Sequence, residues 1–281
     1  MSAANPMEEA AMPASLAGEH VIVVGLGGMG LPLARSLVAE GAVVSVCDLD
    51  SGRIEASGLT GAVLDVTDED AAERVIGALV EASGPPWALC VTAALVGRPA
   101  DALTTSSADL RVLMEVNYLG TVNVDRAAAR HMVAAGRGGR IVNWSSVNAV
   151  GGTRGGCAYA PSKAAVESFS QCLALELAEY AVTVNVVRPG SVDTPMINDL
   201  PEEAKARDRA RIPLGRWGRG PEIAHVVRML LDPAAAWVTG SIVTVDGGML
   251  AAAGRPSGTS ARDLPNLPTE PRSVSTRGER S

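Results

Sequence analysis

The stretch VVGLGGMG, residues 23–30, decides how the chain begins to fold. It ends the apolar run that starts at His20, and it leads into residues 31–37, whose apolar side chains recur at helical spacing. These segments predict a strand, a glycine-rich turn and the start of a helix. The turn satisfies the pattern G-x-G-x-x-G, which lets a backbone approach a pyrophosphate closely at a helix N-terminus. Gly25, Gly28, Met29 and Gly30 are therefore candidate cofactor-binding residues.

A carboxylate stands at the end of the next predicted strand. Asp48 follows the run Val43-Val-Ser-Val-Cys47. At that place a carboxylate can accept hydrogen bonds from both ribose hydroxyls of an adenosine, and it repels a 2′-phosphate. Because Leu49 and Asp50 follow it rather than arginine, NAD(H) is the predicted cofactor. Arg53 nearby leaves NADP(H) open.

Working outward, short β-type runs alternate with helical patterns from residue 20 to about residue 248. The predicted strands are 20–25, 43–47, 61–65, 87–91, 140–144, 182–187 and 241–245. The predicted helices are 29–40, 68–82, 107–135, 159–180 and 221–231. Unpatterned apolar strands that alternate with helices are typical of a parallel sheet covered on both faces. The prediction is an α/β fold with a doubly wound, Rossmann-like, seven-stranded parallel sheet in a single domain, residues 18–250. Residues 1–17 and 251–281 lack periodicity and are predicted to be a disordered N-terminal extension and C-terminal tail.

The composition argues against several classes of function. The chain has 281 residues, 47% of them hydrophobic, and a net charge of −7 without an internal run of basic residues. Nucleic acid and membrane surfaces are therefore not expected as partners. Four cysteines and three histidines are scattered without metal-ligand spacing, so no metal site is expected and all four thiols are expected to be buried. The N-terminus lacks the pattern of a secretory signal, which favours a cytoplasmic location.

Tyr159 and Lys163 lie four residues apart, and hence on one face of a predicted helix. A phenol with an ordinary pKa near 10 exchanges protons poorly at neutral pH. An ammonium at roughly 4 Å, with an effective dielectric constant of about 20, contributes about 4 kcal/mol, or about three pKa units. Lys163 is one of only two lysines in a chain with 22 arginines, which favours a chemical role for it. We expect the ammonium to lower the pKa of the phenol.

Two further polar residues are candidates beside this pair. Ser146 follows the strand 140–144, where doubly wound folds bind ligands, and it could hydrogen-bond a substrate oxygen. Asn117 lies inside a predicted helix, although asparagine is a poor helix former. Taken singly, each is as consistent with a structural role as with a catalytic one.

These residues together resemble the short-chain dehydrogenase/reductase family, in its compact single-domain subgroup, along residues 18–249. The matching stretches are Asp65-Val66, Val116-Asn117, Ile141-Val-Asn-Trp-Ser-Ser146, Tyr159-x-x-x-Lys163, Arg188-Pro-Gly-Ser-Val-Asp-Thr194, Pro213-Leu-Gly-Arg216 and Val245-Asp-Gly-Gly248. The glycine turn alone also resembles the β-hydroxyacid dehydrogenases, but only over about 30 residues. That family would need a helical domain after about residue 170, where this chain has a predicted strand instead.

The resemblance implies a role for each matching residue. Tyr159 is the acid/base, Lys163 lowers its pKa and binds the nicotinamide ribose, Ser146 orients the substrate, and Asn117 anchors a water in a proton relay. Asp65 and Val66 meet the adenine, while Val192 and Thr194 hold the carboxamide. The full set of implied cofactor-binding residues is Gly25, Gly28, Met29, Gly30, Asp48, Leu49, Asp65, Val66, Thr92, Ala93, Tyr159, Lys163, Pro189, Val192 and Thr194.

Two departures from the family pattern stand out. The glycine turn is one residue shorter than the usual T-G-x-x-x-G-x-G, and the usual N-N-A-G after the fourth strand is Val91-Thr-Ala-Ala94 here. Both changes are expected to weaken the hydrogen bonds that fix these loops. They motivate an alternative function, a catalytically weak protein that senses dinucleotides on the same scaffold.

The substrate region is less well specified by sequence. Leu95, Val96, Asn148, Val150 and Met196 are expected to line the pocket, and residues 191–212 are expected to form a lid or an exposed connecting helix. The leading prediction is an NAD(H)-dependent oxidoreductase that interconverts a secondary alcohol and a ketone. Its partners would be a small carbonyl or alcohol substrate and further copies of itself, in a homodimer or homotetramer formed through helices 107–135 and 159–180.

Overall fold

Strands and helices alternate along the residues that the computed structural model describes, 15–195 and 201–252. The strands are β1 (His20–Val24), β2 (Val43–Asp48), β3 (Thr60–Val63), β4 (Ala88–Val91), β5 (Gly139–Trp144), β6 (Val182–Pro189), β7 (Val192–Asp193), β8 (Gly218–Arg219) and β9 (Ile242–Val245). The helices are α1 (Gly30–Ala39), α2 (Ser51–Ser57), α3 (Glu69–Ser83), α4 (Ser107–Met114), α5 (Gly120–Ala135), α6 (Tyr159–Leu177), α7 (Glu202–Arg209) and α8 (Gly220–Leu231). A π-helical turn, Glu115–Leu119, joins α4 to α5.

Seven of the strands form one sheet in the order β3-β2-β1-β4-β5-β6-β9. Every neighbouring pair in it is parallel. Because β1 and β4 are neighbours and the order runs outward from them in both directions, the topological switch point lies between these two strands. The predicted doubly wound, seven-stranded parallel sheet is confirmed.

Apolar side chains cover both faces of the sheet. On one face α1 and α8 contribute residues such as Leu33, Leu37 and Val227 to a buried cluster. On the other face α3, α5 and α6 contribute residues such as Ile76 and Leu173. With both faces covered, the central strands have no polar side, which explains why their sequences are apolar without alternation.

The structure corrects several expectations. Leu16 belongs to the predicted disordered extension, yet it is buried in the core, so the packed chain begins before residue 18. The helix predicted over 107–135 is interrupted by the π-helical turn, and α2 and the short pair β7-β8 were not predicted. The expectation that all four thiols are buried is wrong for two of them: Cys172 is exposed on the outer face of α6, and Cys157 is partly exposed in the turn that precedes α6. Residues 1–14 and 253–281 of the predicted termini lie outside the described chain.

No helix within residues 15–195 and 201–252 is both long enough and apolar enough to cross a membrane.

Candidate cofactor cleft and catalytic residues

The glycine turn follows β1 directly at the switch point. Gly25 has a φ of +97°, which favours glycine, and a Cβ there would lie 2.5 Å from the backbone nitrogen of Ala93. A Cβ on Gly30 would collide with the carbonyl oxygen of Gly25. Both positions therefore require glycine, because the turn is packed against the segment that follows β4.

Thr92 holds this segment to the turn. Its hydroxyl donates to the carbonyl oxygen of Gly25 at 2.7 Å, and its backbone nitrogen donates to Val24 at 2.8 Å. The second position of the altered N-N-A-G pattern therefore still supplies a side-chain hydrogen bond to the turn. A threonine hydroxyl makes a bond across the switch point that sequence comparison alone did not reveal.

Asp48, at the end of β2, also binds the turn. Its Oδ2 accepts a hydrogen bond from the backbone nitrogen of Leu26 at 2.6 Å, and its Oδ1 accepts one from Asp50 at 3.0 Å. The carboxylate is nearly buried, whereas Leu49 beside it is exposed. The Arg53 guanidinium lies 3.6 Å from Oδ2. Asp48 thus fixes the turn and presents a negative charge beside it.

Asp65 and Val66 follow β3 at the same edge of the sheet. The Oδ1 of Asp65 accepts from the backbone nitrogen of Thr67 at 2.9 Å and from its hydroxyl at 2.7 Å. Val66 is buried, and its carbonyl oxygen accepts from the side chain of Asn123 at 3.0 Å. The segment is therefore held in place before α3 begins.

The segment after β6 closes over the glycine turn. A Cβ on Gly28 would lie 2.5 Å from the Cγ2 of Thr194, so these residues are in close contact. Pro189 ends β6, and Val192 is buried in β7. The structure thus brings the predicted carboxamide-binding segment to the predicted pyrophosphate-binding turn.

Tyr159, Lys163 and Ser146 meet where β5 ends. Tyr159 is the first residue of α6 and Lys163 lies one turn later. The Nζ of Lys163 is buried and donates to the carbonyl oxygen of Trp144, the last residue of β5, at 2.8 Å. Ser146 follows two residues after Trp144, and its hydroxyl is a hydrogen-bond partner of the Tyr159 phenol.

The net pKa of Tyr159 is raised in this structure, whereas the expected effect of Lys163 alone would lower it. Burial raises the pKa of Tyr159, and the hydrogen bond with Ser146 offsets only part of that rise. Burial also lowers the pKa of Lys163 to about 8. The ammonium donates to the Trp144 carbonyl, and desolvation is the largest cause of both pKa shifts.

Asn117 lies in the π-helical turn and is completely buried. Its Oδ1 accepts from the backbone nitrogen of Leu95 at 2.7 Å, and its Nδ2 donates to the carbonyl oxygen of Leu95 at 2.8 Å and to the hydroxyl of Ser162 at 2.9 Å. Its own carbonyl oxygen accepts from Thr121 at 2.8 Å. Asn117 therefore joins the loop after β4 to α6, which explains an asparagine at a helical position.

The predicted substrate residues lie on loops that follow β4 and β5. Leu95, Val96 and Val150 are exposed there. The Oδ1 of Asn148 accepts from the Thr153 hydroxyl at 2.8 Å. Met196 lies outside the described residues.

Sequence reasoning missed an apolar cluster beside Ser146. Its buried members are Val147, Ile212 and Met249, and the partly buried Trp217 and Leu250 pack against them. The Nε1 of Trp217 donates to Asp208 in α7 at 2.9 Å. The cluster joins three distant parts of the chain, so the only signal in the sequence was the position of Val147 next to Ser146.

A family model described as enoyl-(acyl carrier protein) reductase matches residues 25–250. The 3-oxoacyl-(acyl-carrier-protein) reductase of Thermotoga maritima is 36% identical over 245 residues, which cover 84% of this chain and 99% of the relative. The (3R)-3-hydroxyacyl-CoA dehydrogenase of Mus musculus is 34% identical over 245 residues, which cover 81% and 95%. Among solved structures, a short-chain type dehydrogenase/reductase from Mycobacterium ulcerans is similar with a TM-score of 0.80 and 29% identity, covering 84% of this chain and 91% of that one.

Proposed function

The chain belongs to the short-chain dehydrogenase/reductase family of oxidoreductases, and from that premise we propose that it interconverts a ketone and a secondary alcohol with NAD(H). The single observation that carries the proposal is the convergence of Tyr159, Lys163 and Ser146 at the carboxyl end of β5, next to a turn in which Gly25, Gly28 and Gly30 leave no room for a Cβ. A proton donor and a pyrophosphate cradle thus share one edge of the sheet.

The residues present fit a nicotinamide dinucleotide. The turn that contains Gly25, Gly28, Met29 and Gly30 would hold the pyrophosphate, because its three glycines lack a Cβ and the N-terminus of α1 follows. Asp48 and Leu49 would meet the adenosine ribose, Asp65 and Val66 the adenine, and Thr92 and Ala93 the middle of the molecule. Pro189, Val192 and Thr194 would hold the carboxamide. When bound, the cofactor supplies or accepts the hydride.

The protein residues would handle the proton. Because burial raises the pKa of Tyr159, the phenol is protonated at neutral pH and can donate to a carbonyl oxygen as that oxygen gains charge. Ser146 would hold the same oxygen. The Lys163 ammonium would stabilise the phenolate that remains, and Asn117 would keep the loop after β4 in register with α6.

Asp48 supports NAD(H) over NADP(H). Two backbone hydrogen bonds fix its carboxylate next to the turn, so a 2′-phosphate placed there would meet a negative charge. Arg53 favours NADP(H) instead, since its side chain is 56% exposed and its guanidinium lies beside Asp48.

The names of the relatives support a substrate class. One is a 3-oxoacyl-(acyl-carrier-protein) reductase and another a (3R)-3-hydroxyacyl-CoA dehydrogenase, which act on the two ends of the same ketone–alcohol couple. In the apolar cluster beside Ser146, the partly buried Trp217 and Leu250 would offer apolar surface to an acyl chain, with Val147, Ile212 and Met249 behind them. A 3-oxoacyl thioester is therefore the first ketone to test. Leu95, Asn148, Val150 and Met196 stay proposed substrate contacts.

The test is a turnover assay with NADH and NADPH across a panel of 3-oxoacyl thioesters and simple ketones. We expect oxidation of NADH with at least one 3-oxoacyl thioester, and a lower dissociation constant for NADH than for NADPH by fluorescence titration. Tighter binding of NADPH would contradict the cofactor preference. Binding of NADH without turnover on any ketone or alcohol would favour the dinucleotide-sensing alternative.

A homodimer or homotetramer is also proposed. Large apolar side chains are exposed along α4 and α6, among them Val112 at 52% and Leu175 at 81%. Such surfaces are typical of interfaces between copies of a chain. Light scattering of the full chain would determine the number of copies.

A further inference from the structure

A buried ion pair lies one helical turn beyond Lys163 and is not used in the proposed chemistry. Glu167 on α6 accepts two hydrogen bonds from Arg188 on β6, from Nε to Oε1 at 2.7 Å and from Nη2 to Oε2 at 2.7 Å. The two side chains are 9% and 14% exposed. Two parallel charged hydrogen bonds fix both distance and orientation, which a single contact does not.

The pair is connected to the end of β5 as well. Ser145, which directly precedes Ser146, donates its hydroxyl to Oε1 of Glu167 at 2.5 Å. Lys163 binds Trp144, the residue before Ser145. Consecutive residues of the strand end are thus bound by side chains one turn apart on α6, so the helix is held in one register against β5.

The other partner leads to the proposed carboxamide segment. Arg188 immediately precedes Pro189, and its Nη1 also donates to the hydroxyl of Thr244 on β9 at 3.4 Å. The Glu167–Arg188 pair therefore joins three neighbouring strands, β5 and β9 through one partner each, and the ends of β5 and β6 carry proposed site residues.

A second buried acid on the same side of the sheet shows that burial alone does not produce such a pair. Asp125 on α5 accepts from Asn143 at 2.6 Å and faces no cation, and burial raises its pKa to about 8. Glu167 faces a guanidinium instead. A buried ion pair gives little net stability compared with apolar side chains of the same size, so its better-supported use is to specify one arrangement.

We propose that the Glu167–Arg188 pair is a positioning element that sets Lys163 and Ser146 relative to residues 189–194, and so aligns the nicotinamide end of the cofactor with the proton donor. The inference rests on the proposed function for the ligand it names. The pair acts through these residues and does not itself touch the cofactor. We expect loss of the pair to affect only the nicotinamide half of the cofactor site, because the adenine half, built on β2 and β3, has no contact with the pair.

The test compares binding of NADH with binding of AMP in Glu167→Gln, measured by calorimetry. We expect the dissociation constant of NADH to rise about tenfold while that of AMP changes less than twofold. The turnover number should fall at least as much as the NADH affinity. Arg188→Lys, which keeps the charge but loses the two parallel bonds, should also weaken NADH more than AMP, but by a smaller factor.

The matched control is Glu19→Gln. Glu19 also binds an arginine, Arg137, with Nη2 to Oε2 at 2.6 Å, but at the amino end of the strands. We expect no split between NADH and AMP in this variant. If Glu167→Gln does not fold, Ser145→Ala keeps the ion pair and removes only the bond to β5, and it should still weaken NADH about threefold.

Three results would overturn the inference: equal weakening of NADH and AMP, no change in either, or the same split in Glu19→Gln. None of these requires turnover, so they are separate from a failure of the proposed function. A wild-type chain that binds neither NADH nor NADPH would contradict the proposed function and this inference together.

Discussion

Polar side chains are used differently at the two ends of the parallel strands, which we call the amino edge and the carboxyl edge of the sheet. At the amino edge, Trp87 donates to the carbonyl oxygen of Leu231 at 3.2 Å, and Arg140 donates to that of Pro233 at 3.1 Å while its guanidinium stacks 4.7 Å from the Trp87 ring centre. His20 binds Gly84 at 2.7 Å and Ser45 at 2.9 Å. These groups satisfy the amino edge with hydrogen bonds, of which all but the one to Ser45 are to main-chain oxygens.

At the carboxyl edge, polar side chains are instead fixed by hydrogen bonds around the proposed site. Asp48 and Thr92 fix a turn made of glycines, and Lys163 and Ser146 are placed beside a phenol. The carboxyl edge thus places a phenol, a cation and a hydroxyl near one another where β5 ends. We therefore expect variants at the carboxyl edge to impair binding or catalysis, and variants at the amino edge to impair stability alone.

The largest expected effect is that of Tyr159→Phe. Removal of the proton donor should lower the turnover number about 1,000-fold, in the range found for general acid catalysis, while NADH binding stays within about threefold. Initial rates and fluorescence titration measure the two quantities. Tyr180→Phe, at an exposed tyrosine, is the control and should retain full activity. Substantial activity in Tyr159→Phe would refute the assigned acid.

A smaller effect is expected for Gly30→Ala. The added methyl group collides with the Gly25 carbonyl, so the turn must shift. A cost of about 3 kcal/mol in cofactor binding corresponds to a roughly 100-fold higher dissociation constant. Gly77→Ala, in α3 with nothing within 4 Å of the new methyl group, is the control and should leave binding unchanged. Wild-type affinity in Gly30→Ala would mean that the turn does not hold the cofactor.

The smallest effect is expected at the amino edge, for His20→Gln. Burial lowers the pKa of His20, so the folded chain binds fewer protons than the unfolded chain below pH 6.5. The stability that depends on neutral His20 is present above pH 6.5 and is lost as the pH falls through the lower, folded pKa. His20→Gln should remove this pH dependence and cost about 1 kcal/mol at neutral pH, without changing turnover. Urea unfolding between pH 5 and 7.5 measures the free energy of unfolding. A loss of activity in a stable variant would contradict the proposed difference between the two edges.

Much of the fold was predictable because its signals are local. Apolar runs of four to eight residues marked all seven strands of the main sheet, and the glycine turn was recognisable from residues adjacent in sequence. The boundaries were less accurate, and the helix over 107–135 hid a π-helical turn. That turn is stabilised by the bonds of Asn117 to Leu95 and Ser162, which lie 22 and 45 residues away and leave no local pattern.

The parallel sheet, the family and the residues that gather at the carboxyl edge could be predicted from the sequence, since spacing along one strand or helix is enough to place them. How these residues interact depends on the fold. In the fold, Thr92 and Asp48 bind the glycine turn, Lys163 binds Trp144, and Glu167 pairs with Arg188. Residues near 147, 212 and 249 pack into one apolar cluster. The physical reason is that hydrogen bonds and pKa values depend on burial and on neighbours across the fold, whereas secondary structure depends mainly on residues close along the chain.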